Sequence, residues 1–185
     1  MNLKNTLTTH SLNNNLHSYF GYPKIACVDL ETTGLSPYID RIIEIGIVLI
    51  EAGRVTEYQW FVNPDQTVSP FIYSFTGIMK DDLDEAHTFR EIANQVYDVL
   101  DNALFVAHNA AFDSSFLYHS FNRTQIHFNP TTLCTVHLAR RVIPGLRSYN
   151  LDSVLSGFEI PSHDRHRALP DAQAVFEILQ KVKNL

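Results

Sequence analysis

Asp29 and Glu31 stand two residues apart at the end of an apolar run, within VDLETTG at 28–34. A strand turns residues i and i+2 to one face. The two carboxylates are therefore crowded together, and that crowding costs free energy unless a cation lies between them. Three further residues suit the same chemistry: Asp113 in HNAAFD (108–113), Asp171 in HRALPDA (166–172), and His166 five residues before Asp171. Taken singly, each has a plainer reading. Asp171 is an acid in the first turn of a helix, which the helix dipole favours; Asp113 is a solvated helix residue; His166 is a solvated loop histidine like His163. Taken together, converging carboxylates need compensation, because an unpaired buried charge costs several kcal/mol. Mg²⁺ binds through a few carboxylates plus substrate phosphates. Two such ions about 3.5–4 Å apart clamp the attacking and leaving oxygens of a phosphoryl displacement. A histidine of ordinary pKa accepts a proton from a metal-bound water near neutral pH.

The elements that must position these groups follow from periodicity and turn residues. Strands are expected at 24–31, 41–52 and 54–64, with AGR (52–54) as a tight hairpin turn. PFIYSFTGIMKDDL (70–83) reads as two short helices about a glycine turn. TFREIANQVYDVLD (88–101) carries a helical apolar stripe behind an N-cap at Thr88. ALFVAH (103–108) is a short buried strand and 110–122 a helix. TTLCTVHLARRVIPG gives a brief strand or turn, then a helix with a Pro-Gly stop. YNLDSVLSGF is a further helix, and the last, 169–182, has Pro170 in its first turn. Early hairpins followed by βα units imply an α/β protein with a mixed sheet flanked by helices.

Bulk properties bound the partners. The 185 residues suit one domain, with 45% hydrophobic and 18% charged residues. Residues 1–22 read as a polar, partly helical lead-in, and the domain proper as 23–185. Cys27 and Cys134 form no CxxC pair, and Cys27 lies inside an apolar run as a buried thiol. That usage favours a reducing cytoplasm and argues against structural zinc. No apolar segment approaches the ~20 residues that span a bilayer, and the N-terminus lacks the continuous apolar stretch of a signal peptide. The net charge of −6 offers no global attraction for a polyanion. Such a substrate must be held locally, by metal ions or by a small basic patch such as ARRVIPGLR (139–147) or the loop arginines Arg165 and Arg167. For Arg140 and Arg141 a solvated helix face is the plainer alternative.

VDLETTG, HNAAFD and HRALPDA resemble, in order and spacing, the three motifs of the DEDDh 3′→5′ exonucleases, above all the epsilon-type proofreading exonuclease of bacterial DNA polymerase III and its stand-alone relatives. IIEIG (42–46), FTGI (75–78) and CTVHLARRVIPGLRSYNLDSVL (134–155) match the family's intervening blocks, and the likeness covers residues 23 to 182. The resemblance implies a ribonuclease H-like fold with a mixed five-stranded sheet and two divalent ions, Mg²⁺ or Mn²⁺. It implies that Asp29 bridges both ions, that Glu31 and Asp171 bind the first and Asp113 the second, and that His166 is the general base. It implies nucleoside 5′-monophosphates as products from nucleic acid 3′ ends, DNA before RNA. Thr32, Thr33 and Gly34 would seat the terminal nucleotide and Leu35 would wedge against its base. Thr76 would face the 3′ end, Phe112 would wall the sugar, and His108 and Asn109 would orient the strand end. A replicative subunit of this kind is expected to carry a further C-terminal segment gripping its polymerase, whereas the sequence ends at Leu185; a polymerase or repair partner is the expected company. RNA 3′-end trimming and a non-catalytic binding module are the alternatives.

Overall fold

The computed structural model describes residues 6–11, 16–161 and 166–185. Its elements run β1 (Thr6–Ser11), α1 (Leu16–Phe20), β2 (Lys24–Thr32), β3 (Ile42–Glu51), β4 (Arg54–Phe61), α2 (Pro70–Thr76), α3 (Lys80–Asp84), α4 (Phe89–Leu100), β5 (Leu104–Ala107), α5 (Ala110–Arg123), β6 (Thr132–Cys134), α6 (Thr135–Val142), α7 (Leu151–Gly157) and α8 (Ala168–Lys183). The sheet order is β1-β4-β3-β2-β5-β6. β1 to β4, β4 to β3 and β3 to β2 are antiparallel pairs, whereas β2 to β5 and β5 to β6 are parallel. The five strands expected from residue 23 onward are β2 to β6. The polar lead-in corrects that picture at one edge. Residues 6–11 add a sixth strand that occupies the outer ladder of β4, and the Leu16 side chain of α1 is fully buried. TLTTHS has no run of alternating apolar and polar residues, so periodicity does not mark it as a strand.

Local chemistry sets the remaining boundaries. Ala52 (φ 49°) and Gly53 (φ 73°) form the two-residue turn of the β3–β4 hairpin, where both positions require the left-handed region. Thr88 and Glu91 close a capping box at the start of α4, with the Thr88 N–H and Oγ1–H both 2.8 Å from Glu91 Oε2. Gly77, at φ 69°, ends α2.

β2 is central and apolar on both faces. Its even residues Ala26, Val28 and Leu30 pack with Phe105, Phe116 and Phe121 beneath α4 and α5. Its odd residues Ile25 and Cys27 pack with Leu169, Ala172 and Val175 of α8. Each such side chain contributes roughly 1.5–3 kcal/mol on burial, and a one-residue slip would exchange the two sets. The register of β2 is therefore pinned. Strand alternation then turns Asp29 and Glu31 toward the α8 face. Cys27 is fully buried as expected, and burial pushes its thiol pKa far up. Among the described residues no helix is long and apolar enough to cross a membrane.

Candidate active site

At the C-terminal end of β2, carboxylate oxygens of Asp29, Glu31 and Asp171 all lie within 4.8 Å of one another. Asp29 and Glu31 are half-buried, and Asp171, in the first turn of α8, is 6% exposed. That burial removes the plain reading of Asp171 as a solvated N-terminal charge. Asp113 comes from the opposite layer, one turn into α5, and is 3% exposed rather than solvated. Its carboxylate accepts from the backbone N–H groups of Leu30 and of Asp113 itself. Its pKa is nevertheless held well above the usual carboxylate range, first by burial and further by the charge of Glu31. Four carboxylates from two layers thus meet at one strand end. The donor set is all hard oxygen, it is substantially desolvated, and it holds more negative charge than it can carry unaided. It fits a hard divalent cation and does not suit a soft metal.

β3 determines how α8 reaches the cluster. Asp29 pairs with Gly46 and Glu31 with Glu44 across the β2–β3 ladder. A Cβ at Gly46 would lie closer than 3.0 Å to the backbone of Ala168 and Leu169. Glycine is thus what lets the first turn of α8 seat against the sheet. Glu44 is fully buried, and its carboxylate takes four hydrogen bonds. Arg167 donates two, from Nε at 3.0 Å to Oε2 and from Nη2 at 3.1 Å to Oε1. The Ala168 N–H donates at 3.2 Å and Gln59 Nε2 at 2.5 Å. A buried carboxylate satisfied this fully is a strong anchor, and removing one partner costs several kcal/mol. The Arg167 guanidinium also lies over the Phe61 ring, 5.3 Å from its centroid. The expectation that Arg167 guides a phosphate backbone is thereby corrected, since its fork is committed to Glu44. Arg165 and His163 lie outside the described residues.

His166 immediately precedes this anchor. It sits at φ 65°, a left-handed conformation that a non-glycine residue keeps only when its surroundings fix it. Its ring is half-buried against Phe75, with centroids 4.2 Å apart. Neither Phe75 nor Glu44 was singled out from the sequence. Glu44 did leave a signal, as the one charged residue in the otherwise apolar run IIEIGIVLI (42–50).

The remaining expected site residues fall into two groups. Leu35 stands 85% exposed, Asn109 is exposed at φ 72°, and Phe112 is half-buried against Phe116, 4.8 Å between centroids. The others have their polar groups engaged within the chain. Thr32 Oγ1 donates to Gly34 O at 2.6 Å. Thr33 Oγ1 accepts from Arg41 N at 3.0 Å and from Gln66 Nε2 at 2.6 Å. A Cβ on Gly34 would fall within 2.7 Å of the Asp40 carboxylate, which accepts from Ser36 N at 2.8 Å, so a side chain there would displace that carboxylate. Thr76 is buried, with its hydroxyl donating to Ile72 O at 2.9 Å. On the same helix the large apolar side chains of Phe71 and Phe75 are exposed. His108 Nε2 donates to Tyr149 O and Nδ1 lies against Thr135 Oγ1, both at 2.9 Å. Arg140 and Arg141 are exposed on α6, Arg140 over the Tyr149 ring at 5.3 Å.

A mixed sheet flanked by helices, with carboxylates from β2, α5 and α8 converging at one strand end, defines an α/β domain of the ribonuclease H-like, DEDDh type. The family described as "Exonuclease" matches residues 26–179, and the chain belongs to that family. It is 34% identical over 169 residues to the 3′-5′ exonuclease DinG of Bacillus subtilis (strain 168), covering 88% of this chain and 18% of that protein. It is 37% identical over 155 residues to the DNA polymerase III PolC-type protein of Caldanaerobacter subterraneus subsp. tengcongensis, covering 83% of this chain and 11% of that one. The chain thus spans less than a fifth of the length of these curated relatives. The fold is shared with the nuclease domain of 3′hExo, a DEDDh family member bound to rAMP, at TM-score 0.74 and 22% identity over 88% of this chain and 93% of that one. It is shared also with E. coli exonuclease I in complex with a dT13 oligonucleotide, at TM-score 0.75 and 17% identity over 86% and 41%.

Proposed function

We propose that this chain is a metal-dependent 3′→5′ exonuclease domain that releases nucleoside 5′-monophosphates from single-stranded or frayed DNA ends. The observation that carries this reading is the convergence of Asp29, Glu31 and Asp171 within 4.8 Å, with buried Asp113 beside Glu31. Membership of the exonuclease family supports it, as does similarity to relatives named as a DNA polymerase and a 3′-5′ exonuclease. Asp29, Glu31 and Asp171 would hold one divalent ion, and Asp29 with Asp113 a second, either Mg²⁺ or Mn²⁺. Bound there, the ions lower the pKa of water and neutralise charge on the scissile phosphate.

The protein's own residues then do the rest. His166 is the general base, taking a proton from the attacking water through a ring that Phe75 and the Arg167–Glu44 anchor hold in one orientation. Leu35 wedges against the last base, and Phe112 walls its sugar. The turn built by Thr32, Thr33 and Gly34 shapes the seat of the terminal nucleotide. His108 and Asn109 set the start of α5 and hence the approach of Asp113. A cytoplasmic location and a polymerase or repair partner agree with this reading.

The test is incubation with 5′-labelled single-stranded DNA and with RNA, in Mg²⁺, Mn²⁺ or EDTA. Stepwise metal-dependent ladders from a free 3′-OH, stronger on DNA, are expected. Ladders that persist in EDTA, or in Asp113→Asn, overturn the reading. Preference for RNA moves the substrate to RNA 3′ ends, and metal-stimulated binding without cleavage leaves a non-catalytic module.

A further inference from the structure

On the sheet face away from Asp29, Glu31 and Asp171, a cleft of about 340 Å³ opens between the start of β3, the start of α4 and the end of α5. Three arginines line it: Arg41, Arg90 and Arg123. Among the described residues none of the three is paired with a carboxylate within 4.0 Å, although the chain carries a net charge of −6. The one carboxylate in the lining, Asp65, is exposed and has no ion pair to them.

Backbone carbonyls hold the three forks in place. Arg123 Nη2 donates to Pro37 O at 2.7 Å and Tyr38 O at 3.0 Å. Arg41 Nη1 donates to Ile39 O at 2.7 Å and Asp40 O at 3.0 Å. Arg90 Nη2 donates to Arg123 O at 3.2 Å. Each arginine thus spends one terminal nitrogen on the chain and keeps the rest of its fork for a ligand. Burial and the neighbouring charge of Arg41 pull the Arg123 pKa down, as expected where like charges are gathered without a counter-ion. Ser120 also lines the cleft and is 4% exposed. Guanidinium forks gathered in one cleft are the donor set of a phosphate site.

The loop from Thr33 to Arg41 says which phosphate. It begins beside Glu31 and ends at the cleft, and along it Leu35, Tyr38 and Ile39 are exposed. Tyr38 lies on the His119 ring, 4.5 Å between centroids. Exposed apolar and aromatic side chains leading into a basic groove are the pattern by which single strands are bound without sequence preference. We infer that the Arg41–Arg90–Arg123 cleft binds a backbone phosphate of the single strand whose 3′ end occupies the acidic site, on the 5′ side of that end. This rests on the exonuclease reading for the position of the 3′ end.

The test uses the full chain and the variants Arg90→Glu and Arg90→Ala, since Arg90 is exposed and its loss leaves the loop carbonyls paired. Fluorescence anisotropy with dT3 and dT15 in Ca²⁺ is followed across salt. Hydrolysis of the p-nitrophenyl ester of thymidine 5′-monophosphate reports the acidic site without any upstream strand. Arg90→Glu is expected to weaken dT15 binding about 10-fold and to lower its salt slope by about one, leaving dT3 binding and ester turnover unchanged. Equal losses for dT3 and dT15, or no loss for dT15, overturn the inference. Ester turnover absent from the wild-type chain, with the dT15 effect retained, sinks the exonuclease reading and supports the cleft. A thermal shift by inorganic phosphate or thymidine 5′-monophosphate that Arg90→Glu abolishes, without any dT15 effect, assigns the cleft to free phosphate and overturns the strand assignment.

Discussion

The end of β2 and the start of α8 deliver acidic residues to the same cluster by different means. Asp29 and Glu31 share a face because they sit two apart on a strand whose apolar neighbours, Ile25 and Cys27 on one side and Val28 and Leu30 on the other, fix its register. Asp171 and His166 have no such local guarantee. They arrive because Gly46 leaves room for the Ala168–Leu169 backbone and because Glu44 holds Arg167 and the Ala168 N–H. The β2 side is therefore sturdy in position and sensitive only in chemistry. The α8 side is sensitive in both, since changes outside the acidic cluster can displace it.

Substitutions can break this contrast or sharpen it. Asp29→Asn should leave thermal unfolding nearly unchanged and lower kcat by roughly 10³-fold or more, about 4 kcal/mol of transition-state stabilisation; a variant that keeps turnover in the ladder assay removes Asp29 from the metal site. Glu44→Ala leaves the Arg167 guanidinium, the Ala168 N–H and Gln59 without their shared acceptor. It should cost about 3–5 kcal/mol in urea unfolding and lower kcat although Glu44 touches no substrate. Unchanged stability would place the anchor elsewhere. Gly46→Ala forces the α8 start away from β3 and should cost about 1–3 kcal/mol, with kcat falling more than KM rises. If kcat stays intact, the seating of α8 is looser than Gly46 implies. Phe75→Ala removes only the ring against His166, worth about 0.5–1.5 kcal/mol, so a several-fold fall in kcat with unchanged metal affinity is expected.

The smallest effect has the opposite sign. Burial and Glu31 raise the Asp113 pKa in the folded protein. The stability this group contributes is therefore full below its unfolded value of about 3.9 and is lost as pH rises through its folded value. In EDTA, Asp113→Asn keeps a neutral side chain at every pH. It should melt higher than wild type near pH 8, by about 2–4 °C per kcal/mol gained, and the gap should close toward pH 3. The same variant should be inactive, so that stability and function separate at one residue. A gap that widens on acidification would mean that Asp113 is stabilised as the anion.

Much of the frame was legible because it rests on short-range rules. The β3–β4 turn needs two left-handed residues and has Ala52-Gly53, and the start of α4 carries a capping box at Thr88 and Glu91. The edge strand β1 was not legible, since TLTTHS has no alternation of apolar and polar residues. Arg167 was misassigned for a different reason. Nothing near it in the chain marks Glu44, 123 residues away, as its partner. The sequence does not tell Thr76 from Phe75, because which of two adjacent helix residues faces solvent depends on how α2 lies on the sheet.

By itself, then, the sequence determined the chemical inventory and the half of the site that local geometry can place: four carboxylates and a histidine in family spacing, with Asp29 and Glu31 on one face by the period of a strand. Only the tertiary structure decided that Asp113 is buried from the opposite layer, that Asp171 closes to within 4.8 Å of Asp29 and Glu31, that His166 is held at positive φ, and that Arg41, Arg90 and Arg123 face one cleft. Those distances join residues far apart in the chain, and they are set by which backbones pack closely enough to touch.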